Sequence, residues 1–259
     1  DYLWKDILTK EKLARIIENY AQVVTEVDPE TKKKTVKQIW PRYHQLDCVE
    51  KLLADVKENG VGKRYLIQHS AGSGKSNSIA WLAHQLIGIE QGGKLLLDSV
   101  IVVTDRRILD KQIKNTIKQF MQVSSTVVWA QHSSDLQEAI ENGSRIIITT
   151  VEKFPYIAQK IGQQHITNKF AIIIDEAHSG QSGRNSANMN LTLSGMASAN
   201  DLDNEDKINA IMEGRKLVKT ASYFAFTATP KNKTEELFGT PYEEDGEIRH
   251  KPFHTYTMK

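Results

Sequence analysis

A glycine-rich turn between two apolar segments constrains this chain more than any other feature of its sequence. The turn, Gln68–Ser76, follows the apolar run Tyr65–Ile67 and precedes Asn77–Ile87, whose apolar spacing is helical. A strand, a glycine-rich turn and a helix in this order are typical of a phosphate-binding loop, because glycines let exposed N–H groups and the helix dipole face an anion. The sequence therefore predicts a nucleotide-phosphate site at Gly72, Ser73, Gly74, Lys75 and Ser76.

Two residues of this turn carry the expected phosphate and metal chemistry. The Lys75 amine would reach the β- and γ-phosphates, and the Ser76 hydroxyl would ligate Mg²⁺. The full motif has glycine at the position of His69, so one of its features is missing here. The alternative is a glycine-rich turn that only caps a helix, and a second motif weakens that alternative.

The second motif is a pair of carboxylates at the end of an apolar run. Phe170–Ile174 is apolar and β-branched, and Asp175 and Glu176 follow it directly. Two adjacent carboxylates at the tip of a buried strand are costly unless a cation or water occupies them. We therefore expect Asp175 to serve Mg²⁺ and Glu176 to orient the attacking water. A solvated acidic turn is the alternative, but both motifs together favour a nucleoside triphosphatase.

Composition places few further limits on function. The chain has 259 residues, 39% hydrophobic and 25% charged, which suits one large globular domain with appendages. Its net charge of +2 is too balanced to indicate nucleic acid, so any DNA surface must be local. Cys48 is the single cysteine, which favours a reducing cytoplasm, and no apolar run is long enough to span a membrane. The chain begins at Asp1 rather than Met, and we expect it to be part of a longer protein.

Apolar runs alternate with helical patterns along most of the chain. The predicted strands are Tyr65–Ile67, Ser99–Thr104, Thr126–Trp129, Arg145–Thr150, Phe170–Ile174 and Tyr223–Phe226. The predicted helices are Trp40–Lys57, Asn77–Ile87, Ile108–Met121, Ser134–Ile140 and Asn204–Lys219. This alternation predicts an α/β fold with a doubly wound, mostly parallel sheet, which binds ligands at the carboxyl ends of its strands.

The segments outside this alternation give the expected domain limits. Residues 1–39 combine a helical pattern with two short extended runs, and we expect a connecting segment there. The nucleotide-binding domain is expected at 40–240, and the start of a linker at 241–259. The polar stretch 180–203 is either a mobile loop or a contact surface.

An aromatic ring and an amide just before the phosphate loop suit an adenine base. Tyr43 can stack on the base, and the Gln45 amide can both donate and accept at its edge. The alternative places Tyr43 in the core and Gln45 on the surface, and these two residues alone favour it.

Three motifs in this order resemble the first motor domain of superfamily two helicases and translocases: Gly-Ser-Gly-Lys-Ser at 72–76, Asp-Glu-Ala-His at 175–178 and Thr-Ala-Thr-Pro at 227–230. Tyr43 and Gln45 resemble the Q motif of that superfamily, whose members often lack the first glycine of the loop. Longer stretches are similar to the R subunit of type I restriction-modification enzymes, namely Trp40–Gln45, Gln68–Ser76, Val102–Arg107, Thr149–Phe154 and Asp175–Gln181. The resemblance covers most of residues 40–230. It implies a RecA-like fold and an ATP-driven motor that pulls double-stranded DNA, with modification and specificity subunits as partners.

The same resemblance assigns roles to individual residues. The phosphate loop and the acidic pair are expected to bind ATP and Mg²⁺, and Gln45 is expected to bind the adenine base. The residues expected to couple hydrolysis to movement are His178, Thr227 and Thr229. The residues expected on the DNA-holding face are Arg106, Thr149, Thr150 and Lys153, for which a role as cap or surface residues stays open.

Two parts of such an enzyme are absent from this sequence. No nuclease carboxylate cluster with its lysine precedes the motor motifs, and no second motor domain follows Lys259. We therefore expect this chain alone not to cut DNA and to hydrolyse almost no ATP. The alternatives are another superfamily two enzyme, such as a strand-separating helicase, and a non-hydrolysing nucleotide-binding module. The intact Lys75, Ser76, Asp175 and Glu176 argue against the second.

Overall fold

The computed structural model describes residues 3–27, 31–104, 117, 127–153, 168–175 and 220–258. Its helices are a π-helical turn at Leu3–Ile7, α1 (Lys10–Asn19), α2 (Tyr43–Asn59), α3 (Lys75–Leu86), α4 (Ser133–Glu141) and α5 (Asn232–Phe238), with a 3-10 turn at Val151–Lys153. Its strands are β1 (Gln22–Val27), β2 (Lys34–Ile39), β3 (Arg64–His69), β4 (Glu90–Gln91), β5 (Lys94–Leu95), β6 (Ser99–Thr104), β7 (Val127–Trp129), β8 (Ile146–Thr150), β9 (Phe170–Ile174), β10 (Ala221–Thr227), β11 (Thr240–Glu244), β12 (Glu247–Lys251) and β13 (His254–Tyr256).

A seven-stranded sheet forms the centre of the fold. Its strand order is β13-β3-β10-β9-β6-β8-β7, and every neighbouring pair is parallel. The strands β6, β8, β9 and β10 are buried along their whole length. Alternate residues of one strand enter different cores: Val100 and Val102 lie with α2 and α3, whereas Ile101 and Val103 lie with α4. Burial on both faces explains the continuous apolar runs and confirms the predicted α/β, doubly wound sheet.

The described part of the first forty residues packs onto this domain. The predicted helical pattern divides into the π-helical turn and α1, and Thr9 caps α1 by accepting from the N–H of Lys12. The two extended runs form the antiparallel pair β1–β2. Ile16, Tyr20 and Val24 enter the same core as α2 and α3, and the indole N–H of Trp81 donates to the Tyr20 carbonyl at 2.9 Å. The predicted connecting segment therefore has its own packing surface against the core of the main sheet.

Two features of the chain beyond the main strands escaped the sequence prediction. Gly92 and Gly93 adopt φ values of +62° and +75° and turn the small hairpin β4–β5. Residues after 240, predicted as the start of a linker, contain the hairpin β11–β12 and the strand β13, which pairs with β3 in the main sheet.

Several predictions fall outside the described residues. They are the helices Ile108–Met121, apart from the buried Ile117, and Asn204–Lys219, together with the polar stretch 180–203. Among the helices that the structure does describe, none has both the length and the apolar character needed to cross a membrane.

Candidate nucleotide site

The glycine-rich turn lies where the sequence predicts it, between the end of β3 and the start of α3. Gly72 and Gly74 have φ values of +77° and +82°, in the left-handed region that favours glycine. A Cβ on Gly74 would lie 2.6 Å from Nε2 of Gln45, so a side chain there would displace the amide. The N–H groups of Lys75 and Ser76 belong to the first turn of α3, where no helical carbonyl precedes them. The turn thus has the backbone of an anion cradle.

The Lys75 side chain is held close to this cradle. Only 7% of the residue is exposed, and its Nζ donates to the carbonyl of His69 at 3.3 Å. Ser76, one position farther along the helix, is half-buried. An ammonium that is largely shielded from water interacts strongly with a nearby phosphate, because the local dielectric is low.

The acidic and threonine motifs lie at the same edge of the sheet as the loop. Strand β10 separates β3 from β9, so the end of β9 is one strand removed from the loop. Asp175 is 3% exposed, and its N–H donates to the Val103 carbonyl at 2.9 Å. Thr227 pairs in register with Gln68 and is fully buried, whereas Thr229 is exposed. Glu176 and His178 lie outside the described residues.

The structure contradicts the alternative in which Tyr43 lies in the core and Gln45 on the surface. Tyr43 is 62% exposed rather than in the core, and Gln45 is 2% exposed rather than on the surface. The Gln45 Oε1 accepts from the N–H of Arg42 at 2.8 Å, and its Nε2 donates to the Gly74 carbonyl at 3.0 Å. That alternative is therefore wrong for both residues. Contact with adenine stays a prediction, in which Gln45 links base and phosphate loop.

The DNA candidates do not form one exposed surface. Thr149 is fully buried and its hydroxyl donates to the Ala130 carbonyl at 3.4 Å, so a phosphate contact would need a rearrangement there. Thr150 is also buried and accepts from Lys153 Nζ at 3.1 Å. Lys153 is half-buried at the carboxyl end of β8, and Arg106 lies outside the described residues.

A cluster of imidazoles beside the loop was not predicted. His69 Nε2 and His254 Nδ1 are 2.8 Å apart, and His254 Nε2 is 3.0 Å from Asp47 Oδ2. His44 Nε2 lies 2.9 Å from the Ser73 carbonyl, and its ring stacks on Tyr256 with centroids 3.6 Å apart. His44 and His69 belong to the quoted motifs, but His254 and Asp47 are 207 positions apart and carry no local signal.

The electrostatics of the cluster specify its proton positions. Burial lowers the pKa of His69 to about 3, and the neighbouring His254, His44 and Lys75 add to the effect, so the ring is neutral at neutral pH. Burial alone would raise the pKa of Asp47, but hydrogen bonds from Lys51 and His254 leave it lowered. With Asp47 ionised, His254 Nε2–H donates to it, and His254 Nδ1 accepts from His69 Nε2–H.

The buried His69 is expected to make the protein sensitive to mild acid. Its folded pKa lies below the ordinary value of 6.5, so its contribution to stability is complete above pH 6.5 and is lost as pH falls toward 3. Between about pH 7.5 and about pH 5.5, this group should cost about 1.4 kcal/mol in the free energy of unfolding. Urea unfolding at the two pH values measures the total difference, to which His84 and His254 also contribute because burial lowers the pKa of each.

The variant His69→Asn removes the titrating group and should reduce that pH difference. The control is His132→Asn, since His132 is exposed at the N-cap of α4 and asparagine is also a good cap. A pH difference that stays the same in His69→Asn would contradict the assignment to His69.

Comparisons with known proteins show which family and which proteins this chain is similar to. Residues 44–259 match the family model described as SWI2/SNF2 ATPase. The putative type I restriction enzyme MjaIXP endonuclease subunit of Methanocaldococcus jannaschii is 26% identical over 239 residues, which are 89% of this chain and 19% of that protein. The type I restriction enzyme HindI endonuclease subunit of Haemophilus influenzae is 27% identical over 159 residues, or 58% of this chain and 15% of that protein. The chain thus spans less than a fifth of the length of these relatives.

A solved structure supports the fold. The UvsW helicase from bacteriophage T4 superposes with a TM-score of 0.52 at 14% identity, covering 91% of this chain and 67% of that chain. At this identity the likeness concerns the fold alone, that of a RecA-like motor domain. The two relatives and the family model confirm the resemblance to type I restriction subunits, and the solved structure confirms the RecA-like fold.

Proposed function

Because the chain belongs to the SWI2/SNF2 ATPase family, we propose that it is the ATP-binding lobe of a motor that translocates double-stranded DNA within a type I restriction endonuclease. The observation that carries the proposal is the left-handed glycine turn, with Lys75 at the start of α3, at the edge of the sheet where Asp175 follows β9. Helicase-type ATP hydrolysis is the general activity of this class, and DNA translocation, the restriction role and a cytoplasmic location belong to the proposal.

The donor set fits a nucleotide with Mg²⁺. The glycine turn and the start of α3 present backbone N–H groups to an anion, and a buried carboxylate at Asp175 matches the oxygen ligands that Mg²⁺ prefers. Bound there, Mg²⁺ would neutralise phosphate charge, with Ser76 and Asp175 as its protein ligands. Lys75 and the N–H groups of α3 hold the phosphates, and Glu176 orients the water. The residues that couple ATP hydrolysis to movement are Thr227, Thr229 and His178.

The domain division is also proposed. Residues 1–39 connect the motor lobe to a preceding part of a longer protein, and the lobe extends through β13 because that strand is part of its sheet. The proposed partners are double-stranded DNA, held near Lys153, and the modification and specificity subunits. The full-length protein would couple ATP hydrolysis to movement along duplex DNA, which the lobe alone would not do.

Displacement of a third strand from duplex DNA tests translocation directly. In the presence of ATP, the full-length protein in its complex should displace a triplex-forming strand placed along the duplex, without separating the duplex strands. The control is the same reaction without ATP. Separation of the duplex strands would instead favour a strand-separating helicase, and the absence of both ATP turnover and triplex displacement would favour a non-hydrolysing binding module.

A further inference from the structure

The strand β13 and the residues after it hold the backbone of the phosphate loop. The N–H of Ser70 donates to the Tyr256 carbonyl at 3.0 Å, and the N–H of Met258 donates to Ser70 Oγ at 3.0 Å. The Met258 methyl carbon lies 3.3 Å from where a Cβ on Gly72 would be. The loop is thus in contact with a segment that follows it by more than 180 positions.

A chain of side chains reinforces this contact from helix α2. Asp47 binds His254, and His254 binds His69, the last residue of β3. The carbonyl of that same His69 accepts the ammonium of Lys75. The position of the Lys75 amine therefore depends on a residue whose ring is fixed by β13 and α2.

A second connection holds the middle of the loop. The His44 ring stacks on Tyr256 of β13 with an interplanar angle of 7°, while its Nε2 lies against the Ser73 carbonyl. Ser70, Ser73 and the His69 carbonyl are thus fixed by two connected elements. A shift of β13 would therefore move the loop backbone at all three of these residues together.

We propose that residues 254–258, with His254 as the central positioning residue, hold the phosphate loop in its nucleotide-binding conformation. This inference rests on the proposed function, since it assumes that the loop binds ATP. Strand β13 has only three residues at the edge of the sheet, and short edge elements open at lower free energy than central strands. Its docking is therefore a step that can make ATP affinity depend on the conformation of this part of the chain.

A metal site is the other use of these side chains. Cys48, His69 and His254 each place a ligand atom within 4.8 Å of the others. Two nitrogens bound to one tetrahedral zinc lie about 3.3 Å apart, given zinc–nitrogen distances of about 2.0–2.1 Å. The observed 2.8 Å between the imidazoles is a hydrogen-bond distance, so the two rings share a proton.

The test uses His254→Phe in the full-length protein, because phenylalanine keeps a ring and removes both hydrogen bonds. We expect the dissociation constant for ATP to rise about tenfold or more, equivalent to about 1.4 kcal/mol. The affinity for duplex DNA without nucleotide should stay unchanged, which a general loss of structure would not allow. His254→Gln, whose amide can still donate to Asp47, should recover part of the ATP affinity.

Two further variants complete the design. His250→Phe is the matched control, because His250 is half-buried on β12 and lies outside the cluster, and it should bind ATP like the wild type. Asp47→Asn weakens the outer end of the chain of hydrogen bonds, and a few-fold weaker ATP binding is expected. It also breaks the ion pair with the exposed Lys51, and such surface pairs contribute little. If His254→Phe does not fold, Asp47→Asn still tests whether this chain of hydrogen bonds supports ATP binding.

Three results would overturn the inference. They are unchanged ATP affinity in both His254→Phe and Asp47→Asn, parallel losses of ATP and DNA affinity in Asp47→Asn, or one zinc per chain that Cys48→Ser removes. A wild-type protein that does not bind ATP would refute the proposed function instead.

Discussion

Replacing Lys75 by alanine is expected to abolish ATP turnover by the full-length protein. The ammonium is nearly buried and is held by the His69 carbonyl at the entrance to α3, so it needs little reorganisation when phosphate charge arrives. Losing one preorganised donor of this kind costs roughly 3–4 kcal/mol, or about 10²–10³ in rate. Steady-state hydrolysis with and without duplex DNA, beside the ATP dissociation constant, measures the loss.

Two variants test whether the lost turnover comes from the charge of Lys75. One keeps its packing, and the other removes a different lysine. Lys75→Met keeps most of the apolar stem and should be as inactive as Lys75→Ala. Lys63→Ala removes an exposed lysine that pairs with Asp55 at 3.1 Å, and such surface pairs contribute little, so turnover should be normal. Wild-type turnover in Lys75→Ala would remove this residue from the phosphate site.

The sequence predicts the central strands well because their environment demands one kind of residue. The predicted bounds of β6 and β9 agree with the observed Ser99–Thr104 and Phe170–Ile174, since a parallel strand buried on both faces requires a continuous apolar run. Strand β13 contains His254, Thr255 and Tyr256 and has no such run. Its place in the sheet comes from pairing with β3, which is a tertiary contact that local propensity does not encode.

The residues of the candidate site also divide into those that local sequence predicts and those that it does not. Gly72, Gly74 and Lys75 were predictable because the loop is a local structure with a fixed spacing. His69 counted only as a departure from the glycine of the full motif, whereas in the structure its ring donates to His254 and its carbonyl accepts from Lys75. The supporting contacts come from residues far apart in sequence, and only the folded chain brings them together.

The structure also changes the meaning of Gln45. Its amide binds the backbone of the loop at Gly74, where no room for a Cβ is left. If Gln45 also binds adenine, one side chain connects the base to the loop that is proposed to hold the phosphates. Since His44 contacts the neighbouring Ser73, helix α2 supports the loop through two consecutive residues.

The acidic pair is expected to separate nucleotide binding from hydrolysis. Glu176→Gln keeps the shape of the side chain and removes the charge that is proposed to orient the attacking water, and groups in this role contribute about 10²–10⁴ in rate. We therefore expect ATP binding to remain and turnover to collapse. The proposed phosphate cradle, formed by Gly74, Lys75 and the start of α3, is unchanged by this substitution. Equal loss of binding and turnover would make Glu176 a structural residue.

Asp175→Asn should give a different result, because its carboxylate is assigned to the metal. It is buried at the tip of β9, and an amide there is a weaker ligand for Mg²⁺ than a carboxylate. The Mg²⁺ concentration needed for half-maximal turnover should rise in Asp175→Asn and stay unchanged in Glu176→Gln. Asp98→Asn is the control, because Asp98 accepts from the N–H of Lys169 just before β9, at the opposite edge of the sheet. If both acidic-pair variants changed the Mg²⁺ requirement alike, the two carboxylates would share one role, and the assignment of metal to Asp175 and water to Glu176 would fail.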